Sequence, residues 1–168
     1  MPNGISYFAF TTKNRGHVNS LRNIVTIIYN GKTAEVPALW DTGATCSCIS
    51  EDVAKILSMI PTGKKLINTP AGTREVNTFV IDVKLPNNVS IKDLPVNDST
   101  IGNQGIGMLI GMDIIGRGDF AVSNFQGKTV FSFRMPSKQM TDYVEQINLE
   151  NIIGPKHGKG KRKIPGKP

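Results

Sequence analysis

The sequence predicts a mainly β fold, closed or folded over on itself, that carries only short helices. Short segments rich in β-branched and aromatic residues recur along the 168-residue chain, and turn signals separate them at intervals of about ten residues. Too little helical pattern lies between these segments for a parallel α/β sheet. A hydrophobic fraction of 39% that includes seven Phe is enough for one buried core.

A hairpin is the clearest feature of the first third of the chain. Residues 24–29 are rich in β-branched side chains and predict a strand. Asn30-Gly31 follows it, and this dipeptide is a strong hairpin signal because both residues accept a positive φ. The returning strand, residues 32–40, therefore runs antiparallel to the first and ends directly at Asp41.

One short helix is predicted shortly after this hairpin. Apolar residues recur at spacings of three and four from Val53 to Ile60. Ser50 is a favourable N-cap, and the two acids after it lie where the helix dipole favours negative charge. Pro61 and Gly63 are expected to end the helix.

The second half of the chain continues the β pattern and ends in a further helix. Phe79, Ile81, Val83 and Leu85 alternate with more polar residues, which predicts a strand with one buried face. The other predicted strands are an edge strand near residues 7–10 and strands at 65–69 and 89–96, the last interrupted by Pro95. A loop is predicted at 98–107, and an apolar strand with a short helix over 108–115 ended by Gly116. A hairpin of 119–123 with 128–133 follows, and then a helix over about 138–150 with Ser137 as its N-cap.

The positive charge of the chain is concentrated at its C-terminal end. The formal net charge is +7, and six of these charges lie in residues 154–168, which contain no acid. Because this tail is spaced by Gly and Pro and has almost nothing to bury, we expect it to be disordered. It is a possible contact for nucleic acid through residues 156–168. A simply solvated tail is an equal alternative, since no aromatic residue is present there to stack on bases.

Several function classes are disfavoured by composition. No apolar run is long enough to cross a bilayer and no signal peptide is evident, so a cytoplasmic location without membrane contact is expected. Cys46 and Cys48 are expected to be free thiols, because two cysteines so close together have poor disulfide geometry. The only histidines are His17 and His157. Neither a metal site nor a cofactor is therefore predicted.

The most informative stretch is the end of the second hairpin strand. A mostly apolar run that starts at Val36 leads into Asp41, Thr42 and Gly43. A carboxylate at the end of a buried strand is costly unless it is hydrogen-bonded or functional, and Gly43 lets the backbone turn sharply. An Asx turn at a strand end would use the same residues. From these residues alone, both interpretations fit.

Other catalytic arrangements are poorly supported. With both histidines near the termini, a Ser-His-Asp or Cys-His site is not credible, and Cys46 has no base. A glycosidase would require two converging carboxylates. Asp113 and Asp119 are candidates for a partner to Asp41 within the chain. The interpretation that remains is that Asp41 finds its partner in a second copy of the protein.

The sequence resembles the retropepsin-like aspartic proteases, in particular the cellular and bacterial single-lobe members. Asp41-Thr42-Gly43-Ala44 after an apolar strand is similar to the catalytic loop of the family. Leu109-Ile110-Gly111, which Met112-Asp113 follows, is similar to the strand beneath that loop. Residues 67–79, with Ala71, Gly72 and Thr73 near the tip, lie where the family has its flap. The resemblance covers roughly residues 24–135 in order.

The resemblance implies a one-lobe acid-protease β-barrel that acts on peptides as a homodimer. Asp41 would be the catalytic acid of each protomer and Thr42 would link the two loops. Gly43 would leave room for the substrate backbone, and Ala44 would support the loop. Residues 1–22 would form an N-terminal segment, 23–136 the protease domain, 137–153 a C-terminal helix and 154–168 the basic tail. Trp40 is bulkier than the residue usual before the acid. The competing hypothesis is a non-catalytic module of the same fold for dimerisation or peptide binding, associated with nucleic acid through its tail.

Overall fold

The structure is a computed structural model, and it describes residues 6–69 and 72–153. It divides the chain into two compact units, Met1–Lys138 and Gln139–Pro168. The described strands are β1 Phe8–Lys13, β2 Leu21–Tyr29, β3 Lys32–Trp40, β4 Cys48–Ser50, β5 Gly63–Thr69, β6 Gly72–Lys84, β7 Ser90–Ser99, β8 Met108–Ile110, β9 Asp119–Ser123 and β10 Val130–Met135. The helices are α1 Glu51–Ile56, α2 Met112–Ile115 and α3 Tyr143–Ile153, with 3-10 turns at Pro86–Asn88, Thr100–Gln104 and Phe125–Gly127.

The first unit contains a closed barrel and a smaller sheet. The barrel strands are hydrogen-bonded in the order β2-β3-β8-β4-β7-β6, and a further pairing of β2 with β6 closes the ring. The pairs β3–β8 and β4–β7 are parallel, and the other pairs are antiparallel. β5 extends the sheet beyond β6, and β1, β10 and β9 form a separate three-stranded antiparallel sheet. The predicted mainly β fold with short helices is therefore confirmed.

The predicted hairpin is present and fixes the position of the barrel strand that leads to Asp41. Asn30 and Gly31 have φ values of 47° and 78°, as a tight turn of this kind requires. The register runs from Tyr29↔Lys32 to Leu21↔Trp40, so β2 begins three residues earlier than the pattern predicted. β3 therefore ends at Trp40, immediately before Asp41.

An aromatic cluster joins the small sheet to the barrel. The ring of Trp40 is stacked on that of Phe120 at 5.2 Å and contacts the rings of Phe10, Phe131 and Phe133 at 5.7, 6.0 and 5.2 Å. The indole N–H donates to Asn23 Oδ1, which satisfies its one polar group. The bulk of Trp40 is thus accommodated because β1, β9 and β10 supply a pocket for it, and the packing anchors the strand end that carries Asp41.

Helix α1 starts as predicted but is shorter. The hydroxyl of Ser50 accepts a hydrogen bond from Val53 N at 3.2 Å, so the predicted N-cap is confirmed. The prediction that Pro61 and Gly63 end the helix is wrong, because the chain leaves the helix after Ile56. Ser58 there adopts a positive φ of 52°. Ile56, the last residue of the helix, and Ile60 beyond it both lie on the surface.

Two other predictions require correction in the first unit. Pro95 does not interrupt β7, because β4 pairs only with the segment Asn97–Ser99 and Pro95 has β6 as its one neighbouring strand. A missing N–H is tolerated at such a position. The predicted loop at 98–107 instead contains the end of β7 and a 3-10 turn at Thr100–Gln104.

The C-terminal helix begins later than predicted. Ser137 is not its N-cap, since the hydroxyl of Ser137 donates to Asp119 Oδ1. The side chain of Asp142 takes this role and accepts from Val144 N at 2.8 Å and Glu145 N at 3.1 Å. The helix therefore spans Tyr143–Ile153. The predicted basic tail at 154–168 lies outside the described residues. No helix in the described part of the chain is long and apolar enough to span a membrane.

Candidate active site

Asp41 lies at the common end of two parallel strands. Trp40 pairs with Ile110 in the β3–β8 ladder, and the backbone N–H of Asp41 continues this ladder by donating to Ile110 O at 2.9 Å. The neighbouring strand therefore fixes the backbone position of Asp41. Its side chain is half-buried, whereas Thr42 and Gly43 are exposed.

The loop after Asp41 is folded around one oxygen of its carboxylate. Gly43 N donates to Asp41 Oδ1 at 2.9 Å, and Ala44 N donates to the backbone oxygen of Asp41 at 3.2 Å. The Asx turn that the sequence allowed is thus present. Within the described residues no hydrogen bond engages Asp41 Oδ2 or the hydroxyl of Thr42, so both atoms are available to groups outside the chain.

The segment Leu109-Ile110-Gly111 lies beneath this loop. Leu109 and Ile110 pair with Leu39 and Trp40, and Gly111 lies against the loop backbone. A Cβ at position 111 would lie 2.7 Å from the carbonyl carbon of Cys46 and 2.9 Å from Ala44 O, so only glycine fits without a shift. The contact continues into α2, where Met112 N donates to Ala44 O at 2.8 Å.

A buried serine, which sequence reasoning missed, connects the loop to α2. The side chain of Ser47 is fully buried and accepts from Gly111 N at 3.0 Å. Its hydroxyl donates to Asp113 Oδ1 at 2.7 Å, and its backbone N–H donates to Asp113 Oδ2 at 2.9 Å. Asp113 therefore holds the loop in place. A serine between two cysteines carries no sequence signal for this role.

A cleft of about 440 Å³ opens beside Asp41. The sequence did not predict it, because its walls come from three separate segments of the chain. Its lining residues are Val18, Asn19, Ser20, Leu21, Leu39, Trp40, Asp41, Val122, Asn124 and Thr129.

The predicted flap corresponds to the hairpin of β5 and β6. The pairing extends to Thr69↔Gly72, and Gly72 has a φ of 115°. Thr73 is exposed and donates from its hydroxyl to Asn68 Oδ1 across the hairpin at 3.2 Å. Ala71, the third predicted flap residue, lies outside the described residues. The structure thus places Gly72 and Thr73 at the end of a hairpin that is separate from the Asp41 loop.

Charged and polar groups tie this hairpin to α1 and β7. Arg74 Nη2 lies 2.8 Å from Glu51 Oε1, at the start of α1. The buried carboxylate of Asp98 accepts from Asn77 N at 3.0 Å and from Asn77 Nδ2 at 2.6 Å. The hairpin is therefore anchored at Asn77 near its base and again at Arg74, closer to its tip.

The two cysteines near the loop have different environments. Cys46 is exposed and Cys48 is buried, and neither forms a disulfide. Burial raises the pKa of the Cys48 thiol to about 11, and hydrogen bonding to Ser99 opposes this shift only in part. In the described part of the chain, no group of three or more His, Cys, Asp or Glu side chains is arranged to hold a metal ion.

The family model described as aspartyl protease matches residues 25–114, which is more than half of the chain and includes both the Asp41 loop and the strand beneath it. The chain belongs to the aspartyl protease family. The resemblance inferred from the sequence motifs is thereby confirmed, and protease activity in general is the function that this family and fold support. A comparison with curated proteins yields no match.

The chain is similar to solved structures of proteases. A retropepsin-like aspartic protease from Rickettsia conorii has a TM-score of 0.50 and 16% identity, over 79% of this chain and 98% of that one. Simian foamy virus protease has a TM-score of 0.40 and 20% identity, over 56% and 92% of the two chains. EIAV protease in complex with the inhibitor HBY-793 has a TM-score of 0.44 and 23% identity, over 58% and 86%. The likeness to the Rickettsia conorii protease shows that the two chains share a fold.

Proposed function

We propose that this aspartyl protease is an endopeptidase that acts as a homodimer, with one Asp41 from each protomer in a shared site. The observation that carries the proposal is the hydrogen bonding of the Asp41 carboxylate. Its Oδ1 is held by Gly43 N, whereas within the described residues nothing in the chain engages Oδ2. The sequence contains a single Asp-Thr-Gly, so one chain supplies one such acid.

The two aspartates that could have served as partners within the chain are engaged elsewhere. Asp113 accepts hydrogen bonds from Ser47 through both oxygens. Asp119 is bonded to Arg134, Ser137 and the backbone of Lys138. Neither carboxylate is free to pair with Asp41, which supports a second copy as the source of the partner acid.

Two such carboxylates would divide the catalytic work between them. Because carboxylates about 3 Å apart do not both ionise, the pair would share one proton. The ionised member would take a proton from a water molecule as that water attacks the peptide carbonyl carbon. The protonated member would hydrogen-bond the carbonyl oxygen as negative charge develops on it. The pair would titrate as a unit.

The other predicted site residues have supporting roles in this proposal. Thr42, which is exposed, would link the two catalytic loops. Gly43 would give the substrate backbone room, and Ala44 would support the loop. Leu109, Ile110 and Gly111 would keep the loop in position. Residues 71–73 of the flap would close over an extended peptide and exclude water. The protease domain would comprise residues 23–136.

The expected partners are a second copy and a peptide or protein substrate. Binding of nucleic acid through residues 156–168 and a cytoplasmic location remain predictions from the sequence. Deletion of residues 156–168 should leave cleavage intact if the tail has no part in the protease activity.

The decisive experiment is cleavage of a peptide library by the wild type and by Asp41→Asn across acidic to neutral pH. We expect Asp41→Asn to remain folded and dimeric but to lose cleavage. Asp52→Asn is the matched control, because it makes the same change at a side chain that is 68% exposed, and it should retain activity. Cleavage by Asp41→Asn, or no cleavage by the wild type, would contradict the proposal and favour the non-catalytic module.

Mixing experiments test the shared site itself. If each site needs two Asp41 carboxylates, excess Asp41→Asn should inhibit the wild type as mixed dimers form. A wild-type protein that is active as a monomer in sedimentation measurements would refute the shared site while leaving a protease assignment intact.

A further inference from the structure

Two segments that border the Asp41 cleft carry basic residues, and Asp41 is the one acid among the described residues that line the cleft. The segment from the end of β1 to the start of β2 contains Lys13, Arg15, His17 and Arg22, and residues 11–23 include no Asp or Glu. The β9–β10 hairpin adds Lys128, and no acid occurs between Asp119 and Asp142. These two segments supply seven of the ten residues that line the cleft.

Hydrogen bonds join the two segments beside the cleft. Asn14 N donates to Thr129 O at 2.9 Å, and Thr129 N donates to Gly16 O at 3.1 Å. Arg15 and Lys128 therefore flank Thr129, which lines the cleft. Both side chains are exposed, so they form the outer rim of a cationic surface.

Among these basic residues, Arg22 is the one whose position in the paired strands lies nearest to Asp41. Arg22 pairs with Leu39 across β2 and β3, and Leu39 pairs with Leu109 across β3 and β8. Directly paired residues project from the same face of a sheet. The alternate row, which includes Trp40 and Ile110, is buried in the core. Arg22, Leu39 and Leu109 thus form a row on the outward face, next to the strand end that bears Asp41.

Arg22 does not itself line the cleft, but it is bonded to a residue that does, and it has no acidic partner within the described residues. Its Nε donates to Ser20 Oγ at 3.2 Å, and Ser20 lines the cleft together with Leu39 and Asp41. Arg74 and Arg134 are paired with Glu51 and Asp119. Within the described residues no carboxylate lies within 4.0 Å of Arg22, so its remaining donors are free to bind another group.

We propose that this cleft selects substrates with a Glu or Asp side chain near the scissile bond, and that Arg22 is the residue that binds its carboxylate. An arginine offers two parallel N–H donors, which match the two oxygens of a carboxylate. Leu39 and Leu109 would pack against the apolar part of the same side chain, and Arg15 and Lys128 would attract acidic segments at longer range. This inference rests on the proposed function, because it assigns a specificity to the same site.

The test uses pairs of peptides that differ only by Glu or Gln at one position within three residues of the cleaved bond. For the wild type we expect kcat/KM to be about threefold to tenfold higher for the Glu peptide than for the Gln peptide at one position. This is the size of effect expected from a charge pair that is exposed or only partly desolvated. The preference should weaken as salt is added. Arg22→Gln should reduce the ratio to about one, and Arg22→Lys should restore part of it.

Lys84→Gln is the matched control, since it removes the same charge from an exposed side chain on β6 and should keep the wild-type ratio. Cleavage with a Glu-to-Gln ratio of about one at every position would overturn the inference and leave the proposed function standing. An equal loss for both peptides in Arg22→Gln, together with a weaker dimer, would also overturn it and assign Arg22 to the interface. Absence of any cleavage by the wild type would overturn both proposals.

Discussion

Gly111 lies so close to Cys46 that a Cβ on Gly111 would be 2.7 Å from the carbonyl carbon of Cys46. This contact joins the strand beneath the catalytic loop to the loop itself, and Met112 N reinforces it by bonding to Ala44 O at 2.8 Å. The position of Asp41 therefore depends on a backbone-to-backbone contact that tolerates no side chain.

Replacing Gly111 with alanine should destabilise the protein and displace the loop. The neighbouring atoms are backbone and have little freedom to move, so we expect a loss of about 1–3 kcal/mol in the free energy of unfolding, as for overpacked sites. Urea unfolding measures this. Gly16→Ala is the control, because a Cβ there has nothing within 4 Å. Equal stabilities of the two variants would contradict the proposed packing.

Asp113 should matter for stability through Ser47 and not as an acid. Asp113→Ala would leave the N–H and hydroxyl of buried Ser47 without their acceptors, at a cost of about 1–3 kcal/mol in the free energy of unfolding. Asp113→Asn retains one acceptor and a similar shape, so its loss should be smaller. Unfolding curves of the two variants check this order. Equal losses in the two variants would contradict this order and show that the loop requires the negative charge of Asp113, not an acceptor alone.

The sequence predicted the fold where local chemistry and tertiary packing agree. Asn30-Gly31 fixed the hairpin, because its backbone preference and the strand pattern favour the same turn. Ser50 marked the start of α1 for a similar reason. The position of Gly111 beneath the loop was found through the resemblance of its motif to that of a known family, not through periodicity.

The predictions that were wrong concern positions where distant residues decide. Ser137 is a good N-cap by type, but its hydroxyl is bound to Asp119, 18 positions earlier in the chain. Two further features could not be predicted because they join segments that meet only in the folded chain. They are the hydrogen bonds between Ser47 and Asp113 and the cleft beside Asp41. Arg22 carries no motif, and its place beside Leu39 follows from the strand register alone.

The carboxylate of Asp119 should make stability depend on pH below neutrality. Hydrogen bonds from Ser137, the backbone of Lys138 and Arg134 hold the pKa of Asp119 well below its usual range. A lowered folded-state pKa means that the unfolded chain takes up a proton first as pH falls. The contribution of Asp119 is therefore complete above the unfolded pKa of about 4 and declines below it.

The variant Asp119→Asn isolates this contribution. At pH 7 and pH 5 it should be less stable than the wild type by a constant amount, and at pH 3 the difference should be smaller. Urea unfolding at the three pH values measures this. Asp93→Asn is the control, since this exposed aspartate is not bonded to Arg134 or Ser137. If the stability difference between the wild type and Asp119→Asn grew as pH falls, the pKa of Asp119 would not be lowered in the folded state.

The two thiols beside the catalytic loop should react at very different rates. Cys46 is exposed, whereas Cys48 is buried and its pKa is raised to about 11, so almost no Cys48 thiolate is present at pH 8. Iodoacetamide at pH 8 should therefore modify native protein once, at Cys46, and urea-unfolded protein at both cysteines. Peptide mass spectrometry locates the adducts, and Cys46→Ser should leave native protein unmodified. Rapid labelling of native Cys48 would mean that the β4 segment opens readily, which would contradict the close packing of the loop against β8 and α2.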